Sequence, residues 1–151
     1  LLCEKFDLFS FPTSGAIKNA RDYIITQLDS LRLPKFSRII GVAGTITTLK
    51  SLDLKLELYR KIAIQNTRLD LKTITTLYHR LAKLSPTQRL KLKGMPAGRE
   101  DVIFGGCLIT RTILEYFKHS SLMVSDEDIM YGIILHRLAP GPAGLASVVS
   151  K

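Results

Sequence analysis

Two short stretches of this 151-residue chain carry residue types that could handle phosphate. The first is RIIGVAGTITTL, residues 38 to 49, where an apolar run stops at Gly41, passes through small residues to Gly44 and meets the hydroxyls of Thr45, Thr47 and Thr48. Glycine lacks a Cβ, so backbone N–H groups there can approach a ligand closely, and a helix beginning beyond it turns unpaired N–H groups and a positive dipole end towards an anion. Thr45 would add a hydroxyl donor. This is not a Walker loop, because no G-K-S/T follows. A strand-to-helix turn required only for packing would use the same letters. The second stretch is AGREDVI, residues 97 to 103, where Gly98 and Arg99 precede an apolar helix. A guanidinium at a positive helix end can fork onto phosphate oxygens. It could equally pair with Glu100 or Asp101 and fix only the helix start.

Other reactive types are scattered. His79, His119 and His136 have no carboxylate or cysteine at ligand spacing, so no metal site is expected. Cys3 and Cys107 lie far apart among apolar neighbours and read as core residues of a reduced, cytoplasmic protein. No serine, cysteine or histidine stands with a base as a nucleophile would, so no catalytic residue is assigned within this chain.

The elements that must position these groups follow from apolar spacing. Residues 2 to 11 read as a strand, and Thr13 or Ser14 caps a helix running to Pro34. SRIIGV, residues 37 to 42, reads as a buried strand, with a helix after Gly44 that stops near Asp53. Alternation at Ile62, Ile64 and Leu69 predicts another strand, and Asp70 caps a helix over 71 to 84. Ser85 and Pro86 start the next helix, and Gly94 closes the turn after it. Glu100 to Lys118 is expected as the longest helix, with Gly105 and Gly106 requiring a close neighbour. A short strand then leads to Ser125 as the cap of a last helix with acids in its first turn. These assignments predict an α/β domain of strands and about five helices, helix-rich in its C-terminal half, over residues 1–138, with 139–151 as a flexible tail or linker.

Lysine and arginine total 22 against 13 acidic residues, a net charge of +9, which favours a polyanionic partner. No apolar run is long enough to span a bilayer, so no membrane partner is expected. Lys83, Arg89, Lys91 and Lys93 cluster in LAKLSPTQRLKLK and would serve a basic nucleic-acid-binding module, although no groove-reading or base-stacking motif accompanies them. The first residue is not methionine, so the chain is expected to be a piece of something longer.

The order of LLCEKF, GVAGTITTL, LSPTQR, GREDVIFGGCLI and VSDEDIMYGIIL resembles the exopolyphosphatase/guanosine pentaphosphate phosphatase (Ppx/GppA) family over residues 1 to 135. Family members read T-E-R/K-F where this chain has Cys3 to Phe6, G-x-x-G-T at Gly41, Gly44 and Thr45, and R-A-D-V-I-x-x-G at Arg99, Asp101, Val102, Ile103 and Gly106. Glu100 replaces the alanine, Gln88 the glutamate of an E-R pair, and Asp128 and Met130 the first glycine and the arginine of G-L-R-E-G. The resemblance implies the second domain of an actin-like ATPase, ribonuclease H-like phosphohydrolase acting on inorganic polyphosphate or guanosine pentaphosphate with Mg²⁺. It implies Gly41, Gly44, Thr45 and Arg99 as phosphate-binding residues. The family's D-x-G-G-G-S loop and the N-terminal domain with the metal-binding and water-activating carboxylates would lie before residue 1, so this chain alone is expected to be inactive. That N-terminal domain and a second copy in a homodimer are the expected protein partners. A catalytically inactive family member kept for protein interaction is the remaining alternative.

Overall fold

Helix starts show most directly how the sequence sets the structure, which in this computed structural model describes residues 2–34, 36–127 and 129–138. Thr13 caps α2 (Ser14–Ser30), its hydroxyl accepting the Ala16 N–H at 3.1 Å. Ser85 and Gln88 form a reciprocal capping box at α6 (Pro86–Leu90), with Pro86 at the first turn. Asp70 precedes α5 (Leu71–Ala82) as expected, yet its carboxylate binds Arg68 Nε at 2.8 Å and caps nothing.

Other expectations are corrected too. Residues 2 to 11 hold no strand: Leu2–Phe6 is a short helix, α1, followed by a turn in which Leu8 N–H bonds Cys3 O at 2.9 Å. That fold-back buries Cys3 and Leu8 together, which an extended segment could not do. The Ile62/Ile64 alternation belongs to α4 (Lys61–Ile64), with Ile64 buried and Ile62 95% exposed, and only Arg68–Asp70 forms a strand, β2. The long apolar helix, α7 (Ile103–Tyr116), starts after Glu100 because Gly98, at φ +80°, sits in a turn before it, and α2 is longer. Of the eight helices among the described residues, five have ten residues or more: α2, α3 (Ala43–Leu54), α5, α7 and α8 (Ile129–Leu138).

The sheet has three strands in the order β1-β3-β2. In the centre, β3 (Ser121–Val124) runs parallel to β1 (Ile40–Gly41), with Ile40 opposite Met123 and Gly41 opposite Val124. On its other side it pairs antiparallel with β2, Leu69 opposite Leu122. Leu69, Leu122 and Val124 are buried with Leu49 of α3, Ile74 and Leu81 of α5, and Phe104, Leu108 and Leu114 of α7. Alternation leaves Arg68 and Met123 on the opposite face.

Two close approaches fix α7. A Cβ on Gly105 would lie 2.5 Å from Cys3 Sγ, and one on Gly106 would lie 2.5 Å from Thr45 Cγ2. These are the neighbours that two mid-helix glycines demanded.

Arg89 is wholly buried. Its Nε donates to Leu81 O at 3.1 Å, and Nη1 donates to Phe9 O at 2.7 Å and Glu100 O at 3.1 Å. Lys93 is held by Glu57 at 2.6 Å. The basic cluster expected for nucleic acid therefore loses Arg89 to the interior. Ser125 does not cap α8: its Oγ accepts the Glu127 N–H at 3.2 Å, and α8 begins only at Ile129. Asp128 and residues 139–151 lie outside the described residues.

Candidate functional site

Parallel β1 and β3 run out at Gly41 and Val124, and the Ser125 N–H closes the pair by bonding Gly41 O at 2.9 Å. The carboxyl edge of parallel strands is where open α/β sheets place ligands. Here it leads into α3. Val42, at φ −122° and ψ 171°, occupies the cap position with no side-chain hydrogen bond, so the opening N–H groups of α3 receive no cap. Ala43 follows in the left-handed region at φ +66°, a conformation that costs a residue with a Cβ on the order of 1 kcal/mol and clusters at functional sites.

Arg99 lies directly over this helix start. A Cβ on Gly44 would stand 2.4 Å from Nη2, 2.6 Å from Cζ and 3.1 Å from Nη1, so the missing side chain at 44 is what makes room for the guanidinium. Arg99 is exposed, and among the described residues its side chain pairs with neither Glu100 nor Asp101 and makes no hydrogen bond. Its backbone carbonyl, by contrast, accepts the Ile103 N–H at 2.9 Å and so begins α7. A cation and the positive end of a helix repel one another when nothing lies between them. Their convergence at Gly44 suits a bridging anion.

Beside Gly44 and Arg99 opens a hollow of about 300 Å³, walled by Thr47, Ser51, Leu56, Tyr59 and Met95. Thr47 Oγ1 turns back to Ala43 O and Gly44 O, 3.4 Å from each. Tyr59 donates its hydroxyl to the Asp126 carboxylate. Burial and that bond push the Tyr59 phenol up to about 12, so it stays protonated at neutral pH. Asp126 is also held through its N–H, which donates to Gln65 Oε1 at 2.6 Å, while Lys61 pairs with Glu127 at 2.8 Å. These contacts moor the 59–65 segment against the loop that leaves β3.

Gly41 and Thr45 face the other flank of the α3 start. Ile46 packs over Gly41, where a Cβ would meet its side chain at 2.9 Å, and Thr45 packs on Gly106. Both border a separate apolar hollow of about 290 Å³ with Ile109, Ile113 and Leu122. The structure thus joins Gly44 with Arg99 and sets the side chain of Thr45 apart from them. Thr47 stands out in the sequence only as one of a run of hydroxyls, and nothing there singles out Tyr59 or Asp126. Tyr59 and Asp126 are 67 positions apart, and no spacing rule links them.

The arrangement can hold and orient an anion. Among the described residues, no three histidine, cysteine or carboxylate side chains gather as a metal site would require. Asp126 and Glu127 are already engaged by Tyr59 and Lys61. Burial pushes the Cys107 thiol up to about 12 and raises Cys3, which is the opposite of nucleophile activation. No helix among the described residues is long and apolar enough to cross a membrane.

Comparison with known proteins places the chain among phosphatases. The Ppx/GppA phosphatase family matches residues 10–139. A bifunctional 3-dehydroquinate synthase/phosphatase of Fusobacterium nucleatum is 34% identical over 141 residues, covering 89% of this chain and 21% of that protein. Exopolyphosphatase 2 of Mycobacterium tuberculosis is 30% identical over 132 residues, covering 82% of this chain and 41% of that protein. A crystal structure of the Aquifex aeolicus Ppx/GppA phosphatase superposes with a TM-score of 0.82 at 26% identity, over 88% of this chain and 44% of that one. The chain therefore spans less than half the length of these relatives, and its α/β architecture is that of the actin-like fold they share.

Proposed function

The chain belongs to the Ppx/GppA phosphatase family, and from that premise we propose that it forms the second domain of an enzyme that hydrolyses terminal phosphoanhydride bonds of inorganic polyphosphate or guanosine pentaphosphate. Its part is to grip the phosphate chain. The opening N–H groups of α3 around Gly44 and Thr45 and the guanidinium of Arg99 converge on one anion, and positioning with charge stabilisation carries most of phosphoryl transfer. The observation that carries this reading is the Arg99 guanidinium lodged against Gly44 at an uncapped helix start, with no ion pair or hydrogen bond among the described residues. Gly41 contributes by letting β1 turn into that helix beneath Ile46. Thr45 contributes its N–H, while its side chain locks α3 to α7 at Gly106.

The described residues do not fit a metal site, so no step is derived through Mg²⁺. In this reading the ion arrives with the phosphate chain or on residues outside this chain, and the general base comes from the N-terminal domain. The net charge of +9 supports a polyanionic substrate.

Binding of tripolyphosphate and of guanosine pentaphosphate to the 151-residue chain tests this. Arg99→Ala should weaken both by about tenfold or more, since a charge-assisted hydrogen bond contributes roughly 1.5–3 kcal/mol. Affinity equal to the parent chain would remove Arg99 from the site and with it the reading.

A further inference from the structure

At the amino-terminal ends of β1 and β3, away from Gly44, lies a second hollow of about 360 Å³. Its walls bring Ser37 and Arg38 from before β1, Arg68 from β2, and His119, Ser120 and Ser121 from the approach to β3. Among the described residues no carboxylate lines it. Arg38 makes no ion pair and no hydrogen bond among the described residues. Arg68 spends Nε on Asp70 at 2.8 Å and Nη2 on Ser120 Oγ at 3.4 Å, which fixes its plane and leaves Nη1 open. The His119 ring lies flat on Phe36, with centroids 5.5 Å apart and planes within 5°, so one face is covered while the nitrogens at its edge have no partner among the described residues. The hydroxyls of Ser37 and Ser121 are likewise without partners there.

From this we propose that the hollow is a second anion site, built for a phosphate group supplied by free inorganic phosphate or by a phosphoryl unit of a longer chain. The chemistry is selective in one direction. Two guanidiniums, an imidazole edge and free hydroxyls offer many donors, and among the described residues the one carboxylate that engages them is Asp70, on Arg68 Nε. Arg68 is pre-oriented by Asp70 and Ser120, so it keeps a fixed fork and loses little freedom when an oxyanion arrives. Arg38, with no ion pair or hydrogen bond among the described residues, is the arm that closes on it. None of these residues belongs to the Gly44–Arg99 site, and the two hollows share no wall.

The test is an amide-resolved NMR titration of the full ¹⁵N-labelled chain carrying Arg99→Ala, which weakens the first site. Inorganic phosphate and tripolyphosphate are added separately at constant ionic strength held with chloride. Saturable shifts confined to residues 37–39, 66–68 and 119–121 are expected. Arg38→Gln should weaken them at least tenfold with thermal stability unchanged, and Arg38→Lys should recover part of the loss. Saturation by both probes identifies a site for free phosphate; saturation by tripolyphosphate alone identifies a site for a chain. Shifts that grow linearly, that match those from chloride alone, or that survive Arg38→Gln would overturn the proposal. Response of residues 43–45 in the parent chain reports separately on the first site, so each reading can fail without the other.

Discussion

Gly44→Ala isolates the feature on which the proposed phosphate site depends. The new Cβ would sit 2.4 Å from Arg99 Nη2. Ordinary contact is near 3.5 Å, so the guanidinium must retreat by about 1 Å. It can do so, because the clashing atoms end an exposed, unpartnered side chain and no backbone lies in the way. Gly44 needs no positive φ, so alanine suits its backbone and should raise helix propensity by up to about 1 kcal/mol. The melting temperature should therefore hold or rise by roughly 2–4 °C. Affinity for tripolyphosphate should fall by about tenfold, as expected on removing Arg99 itself, because each change takes the guanidinium off the anion. The double variant Gly44→Ala/Arg99→Ala should bind no more weakly than either single one, the signature of two changes acting through one contact. Calorimetric titration of the four proteins at one salt concentration measures the cycle. If Gly44→Ala binds like the parent while Arg99→Ala loses tenfold, the space at Gly44 does not seat the guanidinium. Strictly additive losses would refute the shared contact.

Other outcomes follow from the packing and the buried groups. Gly94→Ala should be severely destabilising, by about 3 kcal/mol or more in urea melts, because φ is +94° and the Cβ would lie 2.2 Å from the carbonyl oxygen of Ser51, a backbone atom in α3 that cannot swing aside. Arg89→Met keeps length but strands the carbonyls of Phe9, Leu81 and Glu100, and should lower stability by about 2–4 kcal/mol; an unchanged urea midpoint would dismiss the clamp. Burial holds the Cys107 thiol at about 12 against an ordinary 9.0, and burial with the Asp126 bond holds Tyr59 at about 12 against 10.0. Both groups keep their protons more tightly when folded, so their contribution is complete below about pH 9 and is lost as the pH climbs towards 12; a flat urea midpoint from pH 8 to 11 would contradict this.

Fold and site were legible in different degrees. Where a side chain acts on its own neighbours the letters sufficed, as with Thr13 at α2 and the Ser85–Gln88 box at α6. Two short helices with no such start signal escaped: α1 has five residues and α4 four, too few for a helical period to show itself. In their place Leu2, Phe6 and Leu8, or Ile62 and Ile64, imitate the alternation of a strand. Gly44 and Arg99 were each visible as phosphate-type residues, but only the family resemblance grouped them, because residue spacing does not reveal how α7 docks against α3. Arg89 misled for the opposite reason. It stands among lysines in sequence, and only tertiary structure reveals a ring of carbonyls waiting for it.

That ring has a kinetic consequence. One guanidinium ties together strands of chain near residues 9, 81 and 100, so none of the three can peel away without abandoning a cation in a dry interior. Fraying of the N-terminal segment, of the α5 end and of the turn carrying Arg99 is thereby fused into one cooperative event, and their amide protons should exchange with solvent at a common rate. The turn that carries Arg99 thus owes its place to a second arginine that lies wholly inside.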